Sequence, residues 1–252
     1  MRYIKGFYMG LGMFCAIPLP FFIWDEKLMS AMTATYPLVG AVVGALWWLI
    51  SWGLIALNIP LMLAAATMAL VPFLLTGFIH LDGYMDTSDA HLSRRDLEER
   101  LRILKDPLVG AFAVVMLIVL ILFQFASMYT VMQGGRFLVL LAFIPVISRC
   151  CGALSIFFLK HLEISNYTKM LQGAKPGEKV FVVMLLLAAT AGAYLYGGLA
   201  GLLVAAAAIA GSFLAILRMH KSFGGISGDI LGFSLVMGEL CGVIALAVIQ
   251  NW

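Results

Sequence analysis

Charge is scarce in this sequence of 252 residues. Only 12% of the residues are Asp, Glu, Lys or Arg, whereas 63% are hydrophobic, and the mean hydropathy is +1.04. Residues 28–81 form a run of 54 residues without any of these four residue types. Soluble domains carry about 25% charged residues. The composition therefore excludes a soluble globular protein and predicts a polytopic membrane protein.

Familiar catalytic and metal-binding motifs are also missing. The four cysteines and four histidines lack zinc-ligand spacing, and no Walker loop or Ser-His-Asp arrangement is present. The cysteines lie in apolar segments, where cysteine usually acts as a small hydrophobic residue. The net charge of +3 suits an anionic leaflet or substrate and not nucleic acid. No repeat or long linker divides the chain, which predicts one membrane domain over residues 1–252.

The uncharged windows divide at turn-forming residues into segments near the length of about 20 residues that a bilayer core requires. The predicted spans are 36–57, 60–80, 108–132, 137–159, 180–196, 199–217 and 230–250. We therefore expect an all-α polytopic membrane protein with about six to seven transmembrane helices. Residues 1–24 resemble a signal peptide, but Pro18 and Pro20 interrupt them and no cleavage site follows. An interfacial or re-entrant segment is expected there.

The basic residues predict how the chain crosses the membrane. If the N-terminus is cytoplasmic, fourteen Lys and Arg residues fall on the cytoplasmic side and only Arg136 falls outside, in agreement with the positive-inside rule. The cytoplasmic set is Arg2, Lys5, Lys27, Arg94, Arg95, Arg100, Arg102, Lys105, Lys160, Lys169, Lys175, Lys179, Arg218 and Lys221. Nearly all acidic residues fall on the same side, so we expect the active face to be cytoplasmic.

Three aspartates end the long uncharged run, in the segment His80-Leu81-Asp82-Gly83-Tyr84-Met85-Asp86-Thr87-Ser88-Asp89. On a helix, Asp82, Asp86 and Asp89 share one face, where their repulsion is tolerable only with a cation or protons between them. Ligand sets made of oxygen suit Mg²⁺ or Mn²⁺, which complete their shells with water and phosphate. This segment therefore predicts transfer chemistry at a phosphate.

A short amphipathic helix is predicted to lie on the membrane surface after these aspartates. Ser93 is the expected N-cap, and Asp96 with Arg100 and Glu98 with Arg102 are stabilising pairs four residues apart. The apolar face consists of Leu97, Leu101 and Leu104. We expect the charged side chains of this helix to be solvated.

Two further segments are candidates for the same site. Lys105 and Asp106 lie where the surface helix must turn into the third span. Residues 224–232 are rich in glycine and place Asp229 where the last span begins. Exposed backbone N–H groups at a helix start bind phosphate, and a nearby carboxylate can complete a metal shell. An ordinary interhelical turn is the alternative for this segment.

Arg149 and Glu239 are charged residues inside predicted spans. Such residues are costly in a bilayer and face the protein interior or a cavity. Two interpretations remain open: a structural pair between Arg149 and Glu239, or a phosphate held by the Arg149 guanidinium. Among the histidines, His80 is the functional candidate because it lies beside Asp82.

Residues 76–89 resemble the signature of the cobalamin synthase family. Other stretches match in the family's order: Tyr36-Pro37-Leu38-Val39-Gly40, Ile103-Leu104-Lys105-Asp106-Pro107 with Gly110, Ser148-Arg149, and Gly224-Gly225 through Gly228-Asp229 to Gly238-Glu239. The sequence departs from the family at four places: Phe78 and Ala90 replace glycine, Leu108 replaces arginine, and Cys15-Ala16 replaces a Thr-Arg pair. Leu108 and Ala16 each remove a phosphate contact, which bears on substrate affinity.

The resemblance implies adenosylcobinamide-GDP ribazoletransferase activity in cobalamin biosynthesis. A hydroxyl of α-ribazole, or of its 5′-phosphate, attacks the cobinamide-linked phosphate of adenosylcobinamide-GDP and expels GMP. Mg²⁺ is the implied cofactor, and the implied location is a bacterial or archaeal cytoplasmic membrane. The implied partners are these substrates and the lipid bilayer. Whether the protein forms a homo-oligomer is left undecided by the sequence.

Together, the residues and the resemblance give each candidate a role. The expected metal ligands are Asp82, Asp86, Asp89 and Asp229. The expected catalytic residues are Asp89 or Asp106 as the proton acceptor, with Lys105 and Arg149 on phosphate. The expected substrate-binding residues are His80, Gly83, Arg149, Gly228 and Glu239.

Two other functions remain as alternatives. A membrane phosphotransferase of the CDP-alcohol class also uses spaced aspartates, although its acidic motif has a different spacing. A transporter of cations or small molecules would distribute its acids through the membrane depth, and only Arg149 and Glu239 favour it.

Overall fold

The computed structural model of this protein describes residues 1–162 and 175–250. Helices make up most of these ranges, and no β-strand occurs within them. The helices are α1 (Arg2–Phe14), α2 (Met29–Ala56), α3 (Leu61–Leu75), α4 (Ile79–Leu92), α5 (Leu97–Ile103), α6 (Ala111–Gly134), α7 (Ile144–Phe158), α8 (Pro176–Phe223) and α9 (Gly228–Ile249). The predicted all-α class is confirmed.

Long apolar helices dominate the fold. In the described ranges, α2, α6, α7, α8 and α9 belong to helical segments long and apolar enough to cross a membrane, and α3 with α4 forms a sixth candidate bent by 91°. Helix α3 has only 15 residues and ends at this bend. Helix α4 therefore does not continue in the direction of α3. The multi-pass membrane architecture follows from these segments, in agreement with the sequence.

Helix α8 turns sharply near its middle. Its 48 residues would extend about 72 Å if straight, more than twice a bilayer core of about 30 Å. Gly198 has φ 56 and ψ −136, a conformation outside the helical region and accessible mainly to glycine. A Cβ placed on Gly201 would lie 1.8 Å from the Ala193 carbonyl oxygen, so the two halves meet closely. This turn agrees with the predicted boundary between spans 180–196 and 199–217.

The first helix does not span the membrane. With 13 residues, α1 covers about 20 Å. Its Met9 side chain is buried against Met29 and Met32 of α2, whereas Ile4 is exposed. The Arg2 guanidinium donates to the Ser30 hydroxyl and lies 3.2 Å from a Glu178 carboxylate oxygen at the start of α8. The geometry fits the predicted interfacial segment.

Contacts between the helix ends agree with the predicted threading. On the predicted cytoplasmic side, the Leu162 backbone N–H donates to the Ile226 carbonyl at 2.9 Å. On the opposite side, the Gln250 side chain accepts from the Arg136 backbone N–H at 3.2 Å and donates to its carbonyl. Segments predicted to share a membrane face therefore lie together. Lys169, counted on the cytoplasmic side, lies outside the described residues.

The surface helix α5 is present, but its polar contacts differ from those predicted. Asp96, not Ser93, is the N-cap, because its side chain accepts from the Glu99 backbone N–H at 2.9 Å. Ser93 belongs instead to the end of α4, where its hydroxyl donates to the Ala90 carbonyl. The ion pair joins Arg102 to Glu99 at 2.7 Å instead of to Glu98, and hydrogen bonds from Arg102 lower the pKa of Glu99.

The apolar face of α5 also differs from the prediction in part. Leu104 is buried, and Leu101 packs against the same cluster as Ile216 and Phe223 of α8. Leu97 is exposed instead. Two of the three predicted leucines therefore attach α5 to the helix bundle.

Much of the apolar surface is exposed. On α6, the exposed large side chains include Phe112, Val115, Ile118, Leu122 and Phe123. A contiguous surface of this kind would be unfavourable in water but is expected where lipid tails replace water.

The threading can be tested by labelling cysteines in intact cells, after replacement of the half-buried Cys241. A membrane-impermeant maleimide should label Arg136→Cys from outside, because Arg136 lies at the predicted outer face. Arg95→Cys should react only after the membrane is made permeable. The reverse pattern would show that the predicted orientation is inverted.

Candidate active site

The acidic helix α4 begins at a sharp change of direction. Gly77 and Phe78 both have positive φ, 59 and 62, and the chain bends by 91° between α3 and α4. The left-handed conformation favours glycine. It gives a physical reason why glycine is usual at position 78 in the family that the sequence resembles. The bend separates the direction of α4 from that of α3.

The predicted acidic face of α4 is present. Asp82, Asp89 and Asp229 each act electrostatically on the Asp86 carboxylate. In the described ranges, none of these four carboxylates is within ion-pairing distance of a Lys or Arg side chain. Their mutual repulsion is therefore not neutralised by any described basic side chain.

The start of α9 packs directly against α4. Ser227 is the N-cap, and its hydroxyl accepts from the Ile230 backbone N–H at 3.3 Å. A Cβ placed on Gly83 would lie 2.8 Å from the Asp229 Cα, a contact that real Cβ atoms do not make. Only glycine therefore permits this approach. The structure brings Gly83, Gly228 and Asp229 to the acidic face, although it does not test their predicted roles.

Asp89 connects the acidic face to the start of α6. One of its carboxylate oxygens accepts from the Ala113 backbone N–H at 3.4 Å, in the first turn of that helix. Negative charge is favourable at a helix N-terminus. This contact gives Asp89 a structural function, and its predicted function as proton acceptor or metal ligand stays a prediction.

Lys105 and Asp106 lie in the connection between α5 and α6. Lys105 is exposed and Asp106 is half-buried. The Asp106 carboxylate accepts from the Leu108 backbone N–H at 3.0 Å, which closes a turn. The connection ends at Gly110, which lies against the Asp89 carboxylate. The connection that carries Lys105 and Asp106 therefore ends beside the acidic face, and the catalytic roles of both residues stay predictions.

Arg149 and Glu239 form a pair inside the helix bundle. The Arg149 guanidinium donates to the Glu239 carboxylate at 2.5 Å, and Ser148 donates to the same oxygen at 3.1 Å. Arg149 is 0% exposed and Glu239 is buried. The structural pair, one of the two interpretations from the sequence, is therefore present. The predicted contacts of both residues with substrate do not follow from this buried arrangement and stay predictions.

Tyr36 belongs to this network, and sequence reasoning did not select it as a site residue. Its hydroxyl lies 2.7 Å from the His80 Nε2, and the Arg149 guanidinium lies 5.8 Å from its ring centroid. The signal was available, since Tyr36 begins one of the stretches that resemble the family. His80 is itself 6% exposed, and its Nδ1 has no hydrogen-bond partner among the described residues. Its predicted contact with substrate stays a prediction.

An open cavity of about 500 Å³ adjoins the acidic face, with Asp82 at its edge. Its wall includes Cys15, Ala16, Thr76 and Phe78. Burial raises the pKa of the Cys15 thiol, which keeps it protonated and agrees with the absence of an assigned function. Ala16, where the resemblance implies an arginine, therefore lies in the same cavity as Asp82.

The donor set fits a divalent cation that is only partly bound by protein. Carboxylate oxygens suit Mg²⁺, and uncompensated charge favours a cation. Within residues 1–162 and 175–250, however, no three His, Cys, Asp or Glu side chains are grouped to enclose a metal ion. Such a cation would therefore take its remaining ligands from water and from a phosphate group.

Comparison with known proteins gives a consistent result. The model of the family described as cobalamin-5-phosphate synthase matches residues 6–247. An adenosylcobinamide-GDP ribazoletransferase of Clostridium perfringens is 39% identical over 98% of this chain and 99% of its own length. A protein of the same name from Clostridium botulinum is 40% identical over 96% of this chain and 96% of its own length. Another, from Geobacillus kaustophilus, is 35% identical over 96% of this chain and 95% of its own length. No solved structure gives a significant match.

The close contact between α4 and α9 should make Gly83 intolerant of substitution. Gly83→Ala should lower the midpoint of thermal unfolding in detergent, because the new methyl group meets the Asp229 backbone. Gly53→Ala is the matched control, since a Cβ there meets nothing within 4 Å and alanine is the better helix former. Equal midpoints for both variants would contradict the described packing.

The Arg149–Glu239 pair should behave as a coupled unit. Arg149→Met and Glu239→Leu should each destabilise the protein by about 3–5 kcal/mol, because each leaves a buried charge without its partner. The double variant should recover most of this loss. Unfolding of the three variants in one detergent measures the coupling. Additive losses in the double variant would show that the two side chains are not paired.

Proposed function

The chain belongs to the cobalamin-5-phosphate synthase family, and we propose that it catalyses the reaction for which its curated relatives are named, the ribazole transfer of adenosylcobinamide-GDP ribazoletransferase. The protein is accordingly a transferase of cobalamin biosynthesis. The match covers nearly the whole chain, so it disfavours both a CDP-alcohol phosphotransferase and a transporter. The structural observation that carries the site assignment is the convergence of α4 and the start of α9 on one uncompensated acidic face.

The proposed reaction forms one P–O bond and breaks another. A hydroxyl oxygen of α-ribazole, or of α-ribazole 5′-phosphate, attacks the phosphate linked to cobinamide. The bond to the GMP oxygen breaks, and GMP leaves with the electron pair of that bond. The hydroxyl proton passes to a carboxylate. Such a displacement requires positioning of both reactants and stabilisation of charge on the transferred phosphate.

The acidic residues have distinct proposed functions. Asp82, Asp86, Asp229 and Asp89 are the proposed Mg²⁺ ligands, and because no three of them are grouped to enclose an ion in the described structure, water and substrate phosphate would have to complete the coordination. When bound, this cation would neutralise negative charge on the pyrophosphate. The proposed proton acceptor is Asp89 or Asp106, and each of them already accepts from one backbone N–H, that of Ala113 for Asp89 and that of Leu108 for Asp106. Asp106 is half-buried in a largely exposed connection, where a proton acceptor can be reached by substrate.

The contacts with substrate are proposed around the open cavity beside Asp82. Lys105 is exposed next to Asp106 and would contact phosphate. Backbone N–H groups near Gly228, at the start of α9, would do the same. Ala16 provides no charge in this cavity, so phosphate binding would rest more on the cation and on Lys105.

Arg149 is proposed to position neighbouring side chains and not to contact the substrate. It is enclosed, and among the described residues Tyr36 and His80 connect it to α4. The folded double variant Arg149→Met with Glu239→Leu separates the alternatives. A lowered kcat with unchanged affinity for adenosylcobinamide-GDP would support a positioning function, whereas weakened binding of that substrate by a stable double variant would support a phosphate contact by Arg149.

We further propose that the protein lies in the cytoplasmic membrane with its site open to the cytoplasm. The distribution of basic residues supports this, since fourteen of them fall on one side. Both substrates are large and polar, so access from the aqueous cytoplasm is chemically reasonable.

Asp82→Asn and Asp86→Asn should each abolish turnover without lowering the midpoint of thermal unfolding, because each removes one of the mutually repelling charges without changing side-chain size. Purified protein in nanodiscs is supplied with adenosylcobinamide-GDP, α-ribazole and Mg²⁺, and GMP and the corrinoid product are followed by chromatography. With the wild-type protein, both products should appear together, and neither should form when EDTA removes the Mg²⁺.

Glu98→Gln is the matched control, since Glu98 is exposed on the neighbouring helix α5 and outside the proposed site. It should retain wild-type turnover. Wild-type turnover by Asp82→Asn or Asp86→Asn would overturn the proposed roles of these residues. A folded wild-type protein that released no GMP from either ribazole acceptor would overturn the proposed reaction.

A further inference from the structure

A group of basic side chains lies on the side of α4 that faces away from the aspartates. His91 Nδ1 lies 2.9 Å from the Ser222 hydroxyl oxygen, and an Arg100 N–H donates to the same oxygen at 2.5 Å. Arg218 also acts electrostatically on His91, as does Arg100. We call His91, Arg100, Arg218 and Ser222 the basic cluster. Its members come from α4, α5 and α8, so three helices bring positive charge to one place.

The basic cluster has no acidic partner in the part of the chain that the structure describes. Neither Arg100 nor Arg218 is within 4.0 Å of a carboxylate oxygen there. Arg100 is half-buried and its guanidinium lies 5.6 Å from the Phe223 ring centroid, which fixes the side chain in place. Both guanidinium groups act on His91, so the cluster favours an anion that accepts from Arg100 and Arg218, such as a phosphate.

An apolar groove begins at the basic cluster. Its volume is about 400 Å³, and His91 and Arg218 lie among its lining residues. The rest of the lining is largely apolar and includes Met116, Leu214, Phe233 and Met237. Leu214 is 70% exposed, so the groove opens on the outer surface of the bundle, where lipid is expected. A ligand that fills both parts must combine a phosphate with a long hydrocarbon chain.

The membrane position of the cluster decides which amphiphile fits. Arg100 lies on the surface helix α5, and Arg218 lies near the end of α8 on the predicted cytoplasmic side. Anionic phospholipids give the cytoplasmic leaflet its negative potential, and each basic residue near that surface adds attraction. The groove extends from this level toward the membrane interior along α8 and α9, which is the direction of an acyl chain.

We propose that the basic cluster and the groove bind one anionic phospholipid. The Arg100 and Arg218 guanidinium groups hold the phosphate, His91 and Ser222 contribute hydrogen bonds, and an acyl chain lies in the groove. Ser88 and His91 lie on the side of α4 opposite Asp82, Asp86 and Asp89, as the helical period requires. The lipid site is therefore separate from the active site, and it contacts the helix that carries the aspartates.

Native mass spectrometry of the purified full chain, released from detergent with added lipid, tests the proposal. Phosphatidylglycerol should bind in preference to phosphatidylcholine with the same acyl chains. Arg100→Gln and Arg218→Gln should each weaken phosphatidylglycerol binding by about ten-fold, the loss expected for a hydrogen bond to a charged group. Arg95→Gln is the matched control, because it removes the same charge from an exposed position near α5 and should leave binding unchanged.

A second comparison separates the lipid from a free phosphate. Glycerol phosphate and inorganic phosphate, which lack acyl chains, should compete at least a hundred-fold more weakly than phosphatidylglycerol. Equal competition by glycerol phosphate would overturn the lipid assignment in favour of a soluble anion. Equal binding of the two lipids, or wild-type binding by both Arg100→Gln and Arg218→Gln, would overturn the site itself. Thermal unfolding of each variant confirms that binding is compared between folded proteins.

Discussion

Repulsion among carboxylates is the constraint on which the proposed site depends. Asp82, Asp86 and Asp89 share a face of α4, and the contact at Gly83 brings Asp229 of α9 against it. The described residues provide no Lys or Arg partner for any of them. A cation or protons are therefore needed to neutralise this face, and the proposed reaction requires the cation. Since no three of these groups enclose an ion, the pyrophosphate of the substrate is expected to complete the coordination, and cation and substrate should bind together.

The position of the acidic face is fixed from within the membrane. The Glu239 carboxylate holds Arg149, the Arg149 guanidinium lies over the Tyr36 ring, and the Tyr36 hydroxyl contacts His80 two residues before Asp82. Buried polar networks of this kind are costly unless they are well paired. This one still leaves the His80 Nδ1 and two Arg149 nitrogens without partners among the described residues. It connects the middle of the bundle to the first turn of α4.

The sequence predicted the local features of the fold and only some of the tertiary ones. The helical period placed the three aspartates on one face, and Gly197-Gly198 marked the turn within α8. Both features could be predicted because each is determined by residues close together in the sequence. The contact between Tyr36 and His80 joins residues 44 apart and required the helix packing. The sequence predicted Ser93 as the N-cap of α5, but the cap is Asp96. Ser93 is not available because α4 continues to Leu92 and the Ser93 hydroxyl bonds to the end of that helix. For Arg149, the sequence supported a pair and a phosphate contact equally, and only the structure showed the pair.

Binding of Mn²⁺ to the purified protein tests the central claim most directly, because Mn²⁺ replaces Mg²⁺ on oxygen ligands and loses its free-ion electron paramagnetic resonance signal when bound. The account predicts weak binding to the protein alone and much tighter binding once adenosylcobinamide-GDP is present. The increase should be absent when Asp82 and Asp86 are both replaced by Asn. A folded protein that bound no Mn²⁺ in the presence of the nucleotide substrate, or a double variant that bound it like the wild type, would contradict the account.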